Sequence, residues 1–311
     1  MWRKLRLARG FSLTLLASAQ HQDIEELIEN HRWPQAAQRL QSVSPSDARM
    51  NWLAARVRFA YHDLDKAAEL TERAATLDPK NADYQFLLYE VYGSQAAEAS
   101  VFRQPGLAKK CKKAVDNAVA LNPKHAEALA GLMIYLYRAP GFFGGDKKRA
   151  YSIPREIAAF NPARGHLTQA QIDLLEKRSD LARESYRKAV AADPNFQEAR
   201  ILLARALAGE PEQAEVQARE AIRINPKRIN GWELLAYALG RQGKIAELDQ
   251  TIAKMGDTTG LFHGARGLLD GAKDRAKAEQ MLRQYVKQPS PGPERPTAAQ
   301  AESLLKKNVS R

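Results

Sequence analysis

The sequence predicts an all-α fold, a solenoid built from helix pairs. Ala and Leu are abundant, aromatic residues make up only 7% of the chain, and no stretch alternates apolar and polar residues as a half-buried strand does. Six prolines, each preceded by Ser, Asp or Asn, recur at intervals of 32 to 44 residues. These observations indicate a helical unit that is repeated along the chain and ends at a proline.

The prolines predict where helices stop, because proline disfavours the α conformation in the residue before it and Asp or Asn suits a turn. Small residues also recur 12 and 5 positions upstream of the last five prolines. Residues seven apart lie on one helix face, where a paired helix packs closely. The dipeptides are Ser44-Pro45, Asp78-Pro79, Asn122-Pro123, Asn161-Pro162, Asp193-Pro194 and Asn225-Pro226, and the upstream positions are Ala67, Cys111, Ala150, Ala182 and Ala214, then Ala74, Ala118, Ile157, Ala189 and Ala221.

The segment Ala48–Asn81 shows the pattern best, with Trp52, Ala67, Ala74 and the ending Leu77-Asp78-Pro79. This pattern resembles the tetratricopeptide repeat, a helix pair of 34 residues. The resemblance implies a right-handed α-solenoid of about seven to eight helix pairs over residues 20–288. It also implies a non-catalytic scaffold that binds a protein or peptide in a concave groove.

Two adjacent units are longer than the repeat, with insertions near residues 94–108 and 139–146. The second contains Ala139-Pro-Gly-Phe-Phe-Gly-Gly145, which resembles the AP-x-x-x-GG loop of an uncharacterised family of exported bacterial tetratricopeptide proteins. No biochemical activity comes with that resemblance. We expect Phe142 and Phe143 to fold back onto the groove wall. The sequence does not decide whether the 139–146 loop is a contact site or only a connector.

Residues 1–19 predict a signal peptide, because a basic start is followed by a short apolar segment and by Ala17-Ser18-Ala19. Export to the periplasm or the medium would follow. The alternatives for this segment are a mitochondrial presequence and an uncleaved amphipathic anchor. At the other end, residues 289–296 are rich in proline and predict a semi-rigid spacer. Residues 297–311 predict a helix that caps the array.

The groove of tetratricopeptide repeats is lined by the first helix of each pair, which we call the A helix. Mapping the family pattern onto this sequence gives the candidate groove residues Arg49, Trp52, Arg56, Phe59, Phe86, Glu90, Arg205 and Tyr237. Arginines beside Trp52 and Phe59 would suit a peptide with an acidic or aromatic residue. The alternative is that the two aromatic rings pack onto the first unit.

The formal net charge of +12 favours acidic partners, although the basic residues are spread over most helices. A second hypothesis is therefore binding of an anionic ligand, polymer or membrane surface. The candidate residues for it are Lys109, Lys110, Lys112, Lys113, Lys147 and Lys148. A nucleic-acid partner is not expected, and neither is an integral span after removal of the signal. The sequence leaves the oligomeric state and the identity of the partner open.

Motifs for catalysis and metal binding are absent from the sequence. The single cysteine, Cys111, cannot form an internal disulfide, and the six histidines are scattered without a ligand spacing. We therefore expect no metal site, no cofactor and no enzyme activity. His62 and His125 fall at turns of the repeat, where a surface position is expected.

Overall fold

A computed structural model describes residues 19–40, 44 and 46–309, and all regular structure in this part is helical. Most of the predicted signal segment lies outside the described residues. The chain divides into two compact units, unit 1 (Met1–Ala150) and unit 2 (Tyr151–Arg311). Within each unit, successive helices form antiparallel pairs, as in an α-solenoid.

Unit 1 consists of helix pairs in which each A helix is followed by its partner, the B helix. Neighbouring elements pack in chain order, so that α3 contacts α4 and α5 contacts α6. The helices are α1 (residues 19–29), α2 (Trp33–Arg39), α3 (Ala48–Ala60), α4 (Leu64–Leu77), α5 (Ala82–Glu98), α6 (Gln104–Leu121), α7 (Ala126–Arg138) and α8 (Lys147–Ala158), the last of which continues into unit 2.

Unit 2 continues the pattern of helix pairs and ends in an unpaired helix. Its helices are α9 (Pro162–Leu175), α10 (Ser179–Ala192), α11 (Gln197–Ala206), α12 (Pro211–Ile224), α13 (Ile229–Gln242), α14 (Ile245–Met255), α15 (Thr259–Asp270), α16 (Arg275–Lys287) and α17 (Ala298–Val309).

The Asp/Asn-Pro dipeptides end the B helix by the same local mechanism in four of the helix pairs. Asp78, Asn122, Asp193 and Asn225 are each the last, non-helical residue of a B helix. Each side chain accepts a hydrogen bond from the amide two residues later, at 2.9 to 3.4 Å. Asn161 differs, because it caps the start of α9 and Pro162 is the first helical residue.

The small residues that recur in the sequence are all buried, each being at most 5% exposed. They lie on B helices and let the A helices approach closely. In unit 2, two A helices, α13 and α15, pack closely against each other at Gly267. A Cβ added at Gly267 of α15 would lie 2.2 Å from the carbonyl oxygen of Tyr237 in α13. Glycine is therefore required at that crossing.

The two insertions of unit 1 change the connections between helices and leave the pairing intact. The first lengthens α5 to Glu98 and adds a turn at residues 99–103 before α6. The second adds a short 3-10 helix, Gly141–Phe143, between α7 and α8. Phe142 is 83% exposed, so our expectation that it folds back onto the groove wall is wrong.

Candidate functional site

In unit 1, two arginines lie close to the ring of Trp52 in α3. The guanidinium carbons of Arg49 and Arg56 are 5.6 and 4.8 Å from the ring centroid. Trp52 is only 8% exposed and belongs to the hydrophobic core that also contains Ile24 and Ile28 of α1. Phe59 is half-buried against the same core. Both rings therefore pack as the alternative interpretation describes, and Trp52 presents no free face to a ligand.

Carboxylates neutralise these two arginines. Arg49 forms an ion pair with Glu25 of α1. Burial lowers the pKa of Arg56, while Glu25, Glu29 and Glu90 stabilise its charge. An acidic peptide would have to compete with these side chains, so the surroundings of the arginines do not favour the acid-binding clamp that the sequence suggested.

Glu90 of α5 is a half-buried carboxyl group near Arg56. Burial raises its pKa to about 7, although the charges of Arg56 and His125 oppose the rise. Glu90 forms no hydrogen bond with any described residue. It is therefore a partly protonated group near neutral pH that has an unused hydrogen-bonding capacity.

His125 joins α5 to the start of α7, and its side chain is only 10% exposed. The expectation of a surface position is therefore wrong. Its Nε2 is 3.0 Å from Asp83, and its Nδ1 is 3.4 Å from Glu127 and 3.2 Å from the amide nitrogen of Ala128. Hydrogen bonds to the two carboxylates raise the pKa of His125 to about 9. The ring also lies 5.4 Å from Phe86, the candidate groove residue of α5.

In unit 2, a cleft of about 390 Å³ opens on the A helices α11, α13 and α15. Arg205 and Tyr237, both predicted from the sequence, line this cleft together with Glu233, His263 and Arg266. Arg205 is exposed and forms no ion pair with a described residue. The Tyr237 hydroxyl donates a hydrogen bond to Asp270 at 2.9 Å. We refer to this site as the unit 2 cleft.

The proline-rich segment 289–296 packs on the helices of unit 2, where Arg295 contacts Glu233, one of the residues that line the cleft. Arg295 forms an ion pair with Glu233, and the side chains are only 7% and 12% exposed. The Tyr285 hydroxyl donates to the carbonyl of Pro296 at 2.5 Å, and the Thr258 hydroxyl donates to the carbonyl of Gln288 at 3.0 Å. The segment is thus fixed at both ends, which its composition did not predict.

Burial controls the charges in the unit 2 cleft. It raises the pKa of Glu233, while Arg295 favours the charged carboxylate. Burial also lowers the pKa of His263 to about 4, and the charges of Arg266, Arg295 and Arg205 act in the same direction. His263 is therefore neutral at physiological pH. Neither His263 nor Arg295 is predicted as a site residue from the sequence, since no motif connects them to α13.

The six lysines of the predicted anion patch do not share one surface. On α6, Lys112 forms an ion pair with Asp116, and Lys110 lies over Tyr92 and contacts Glu72. Lys109 and Lys113 are exposed one turn apart. Lys147 instead lies 4.8 Å over the ring of Tyr137. Tyr135 of α7 faces α6. Tyr137 follows it by two residues, so its side chain lies about 200° around the axis of α7 from that of Tyr135.

Other kinds of site receive no support from the described residues. His, Cys, Asp and Glu side chains in this part of the chain form no cluster suited to a metal ion. None of the described helices is both long enough and apolar enough to span a bilayer. Cys111 is buried, and burial raises the pKa of its thiol to about 12, which disfavours the reactive thiolate.

Comparison with solved structures shows what the helix pairs are similar to. The chain resembles a human IFIT1 dimer with PPP-AAAA, with a TM-score of 0.52 and 16% identity over 86% of this chain and 64% of that one. The chain has the tetratricopeptide-repeat fold. It is also similar to TTC0263, a thermophilic TPR protein of Thermus thermophilus, with a TM-score of 0.44 and 20% identity over 62% of this chain and 99% of that one.

A third similar structure is PilW, described as a type IV pilus biogenesis factor, with a TM-score of 0.42 and 15% identity over 83% of this chain and 98% of that one. No family model and no curated protein matches the sequence. Identities this low establish the fold alone.

Proposed function

We propose that the protein is a non-catalytic interaction scaffold that binds a peptide segment at Glu233 of the unit 2 cleft. The observation that supports this proposal is the position of the chain's own segment 289–296, which presents Arg295 to Glu233 on the A-helix face. In the structure this segment turns at Pro293 and Glu294, with φ angles of 125° at Gly292 and 64° at Glu294. Its prolines restrict the unbound chain, so less conformational entropy is lost on binding than for an unrestricted peptide. The proposed ligand is therefore a proline-containing peptide segment with a basic side chain.

The electrostatics of the cleft support a basic ligand residue. The Glu233 carboxylate is nearly buried, and a buried carboxylate is costly unless a cation pairs with it. Arg295 supplies that cation within the chain. A partner peptide would replace it with its own arginine or lysine, and Arg205 of the cleft, which forms no ion pair with a described residue, would pair with an acidic residue of the same peptide.

A peptide-binding experiment tests the proposal with the full chain. One variant replaces residues 289–296 by a Gly/Ser linker of equal length, which removes Arg295 from Glu233 and keeps α17 attached; we call it the emptied variant. A fluorescein-labelled peptide, QPSPGPERPT, is then titrated and followed by fluorescence anisotropy. We expect binding to the emptied variant and at least tenfold weaker binding to the wild type, whose tethered segment competes at a high effective concentration.

Three controls show whether the binding is specific. A peptide with alanine in place of its arginine, a scrambled peptide of the same composition, and the emptied variant carrying Glu233→Gln should each lose binding. Equal binding of the scrambled peptide, or binding that does not depend on Glu233, would contradict the proposal. So would the absence of binding to an emptied variant whose circular-dichroism spectrum matches that of the wild type.

We also propose that the protein is exported, on the basis of the sequence pattern of residues 1–19. Sequencing the N-terminus of the C-terminally tagged protein, purified from its native cells, tests this. A chain that begins at Gln20 supports export. A chain that still begins at Met1 contradicts cleavage and favours the uncleaved anchor.

A further inference from the structure

The insertions of unit 1 carry exposed hydrophobic side chains. Phe102, Phe142 and Val101 are 96%, 83% and 76% exposed, and they are the most exposed large hydrophobic residues of the described chain. They lie on segments that the 34-residue repeat does not contain, so the stacking of helix pairs does not require them. The Phe142 ring lies 4.6 Å from its neighbour Phe143, and the side chain is otherwise open to solvent.

The two insertions meet at the start of α6. The Tyr135 hydroxyl donates a hydrogen bond to the carbonyl of Phe143 at 2.8 Å and lies 3.4 Å from the carbonyl of Ala108. A Cβ added at Gly144 would lie 3.5 Å from the Cε of Lys112. The turn that carries Phe142 is therefore fixed against α6, one or two helical turns from the segment that carries Phe102.

Cations surround the hydrophobic side chains. Residues 99–115 contain five lysines and arginines and no acid. Arg103, Lys109 and Lys113 are exposed, and their side chains form no ion pair with a described residue. Lys112 lies beside Gly144, although it is paired with Asp116. We call Val101, Phe102, Arg103, Lys109, Lys113 and Phe142 the insertion surface.

We propose that the insertion surface binds the surface of an anionic lipid membrane. Exposed apolar side chains next to unpaired cations are the features by which peripheral proteins enter the headgroup region of such bilayers. Phe102, Phe142 and Val101 enter the interface, while Arg103, Lys109 and Lys113 contact lipid phosphates. A soluble polyanion would leave the apolar side chains without a role. A single-stranded nucleic acid would stack on the phenylalanines, but Val101 offers no stacking face.

Vesicle sedimentation of the full chain tests this surface. The wild type should bind vesicles of phosphatidylcholine mixed with phosphatidylglycerol and should not bind phosphatidylcholine alone. The variants Phe102→Ser/Phe142→Ser and Lys109→Gln/Lys113→Gln should each bind the anionic vesicles about tenfold or more weakly, because each removes two contacts of the kind that contributes to interfacial binding. All variants keep the same first 18 residues, so the comparison isolates the insertion surface.

Matched substitutions elsewhere serve as controls. Leu181→Ser/Val216→Ser removes two exposed hydrophobic side chains of unit 2, and Lys124→Gln/Lys188→Gln removes two exposed lysines. Both should bind as the wild type does. The position of the ring is tested with Phe142→Trp, whose added fluorescence should be quenched by lipids brominated on the acyl chains, while that of Val216→Trp should not.

Three results would overturn the proposal. The wild type could fail to bind anionic vesicles. The phenylalanine variant could bind as well as the wild type, which would indicate a purely electrostatic polyanion site. The matched control variants could lose as much binding as the insertion-surface variants, which would indicate a nonspecific effect of charge and hydrophobicity. None of these results bears on peptide binding at Glu233, since that test uses different residues.

Discussion

Removal of the Arg295 side chain should destabilise unit 2 by an amount that depends on pH. In the variant Arg295→Ala, Glu233 loses the cation that compensates for its burial. Breaking a buried ion pair from one side typically costs about 3 to 5 kcal/mol, because the remaining charge stays buried without a partner. The two side chains retain 7% and 12% exposure, so the lower end of this range is expected.

Protonation of Glu233 sets an upper limit to that cost. An unperturbed glutamate has a pKa of about 4.3, and each pH unit above it corresponds to about 1.4 kcal/mol for taking up a proton. Neutralising Glu233 at pH 7 therefore costs about 4 kcal/mol, and at pH 5 about 1 kcal/mol. We expect Arg295→Ala to lower the free energy of unfolding by about 3 kcal/mol at pH 7 and by about 1 kcal/mol at pH 5.

Urea unfolding at the two pH values, followed by circular dichroism, measures the difference. Arg283→Ala on α16 is the matched control, since Arg283 is exposed and forms no ion pair with a described residue. It should change the free energy of unfolding by less than about 0.5 kcal/mol. A loss at pH 7 no larger than that of the control would refute the reasoning. An equal loss at pH 5 and pH 7 would show that the arginine acts through packing rather than charge.

Three further predictions concern burial and packing. The pKa of Glu90 is raised to about 7 in the folded chain. Between pH 4.5 and 7, the folded chain therefore keeps a proton on Glu90 that the unfolded chain releases. The free energy of unfolding should fall across this pH range as a result. Glu90→Gln should flatten this slope and add up to about 3 kcal/mol above pH 7, and an unchanged slope in urea titrations would contradict the assignment. Ala67→Asp places a carboxylate at a fully buried position and should unfold the helix pairs around it. The control Ala120→Asp changes an exposed position of α6 and should not unfold them. A thermal melt of Ala67→Asp that matches the wild type would contradict this prediction. Gly267→Ala should cost more than about 2 kcal/mol because its Cβ meets the Tyr237 carbonyl, while Gly106→Ala, with open space around it, should stabilise by about 0.5 to 1 kcal/mol in the same denaturation assay.

The helix pairs could be predicted from the sequence because the repeat has a local cause. Each Asp/Asn-Pro pair acts on its own neighbours, and the four observed turns use the same hydrogen bond. The small residues on B helices report the contact of one helix with its partner, which lies nearby in sequence. Periodicity therefore contains the information that builds the solenoid.

The electrostatic sites could not be predicted in the same way, because they join residues that no period relates. Glu233 and Arg295 are 62 residues apart, and the composition of the proline-rich segment says nothing about where it lies. His125 is 42 residues from its partner Asp83. At Trp52, the repeat pattern predicts a groove residue, but it does not predict that the ring is 8% exposed within the core or that two arginines lie 5.6 and 4.8 Å from its centroid.

The carboxyl groups of Glu90 and Glu233 are partly buried at positions where the packing of the helices does not require them. The core of each unit is formed by apolar side chains, both aliphatic and aromatic, and contains neither Glu90 nor Glu233. Burial raises the pKa of both, which means that each charge opposes folding unless a cation compensates for it. At Glu233 the chain supplies Arg295 directly, whereas Glu90 has no hydrogen bond with a described residue and only the field of Arg56 and His125. Because burying a carboxylate lowers stability and adds nothing to the repeat, we infer a role in binding for Glu233, and the peptide titration tests that inference at the carboxylate that Arg295 of the same chain already pairs with.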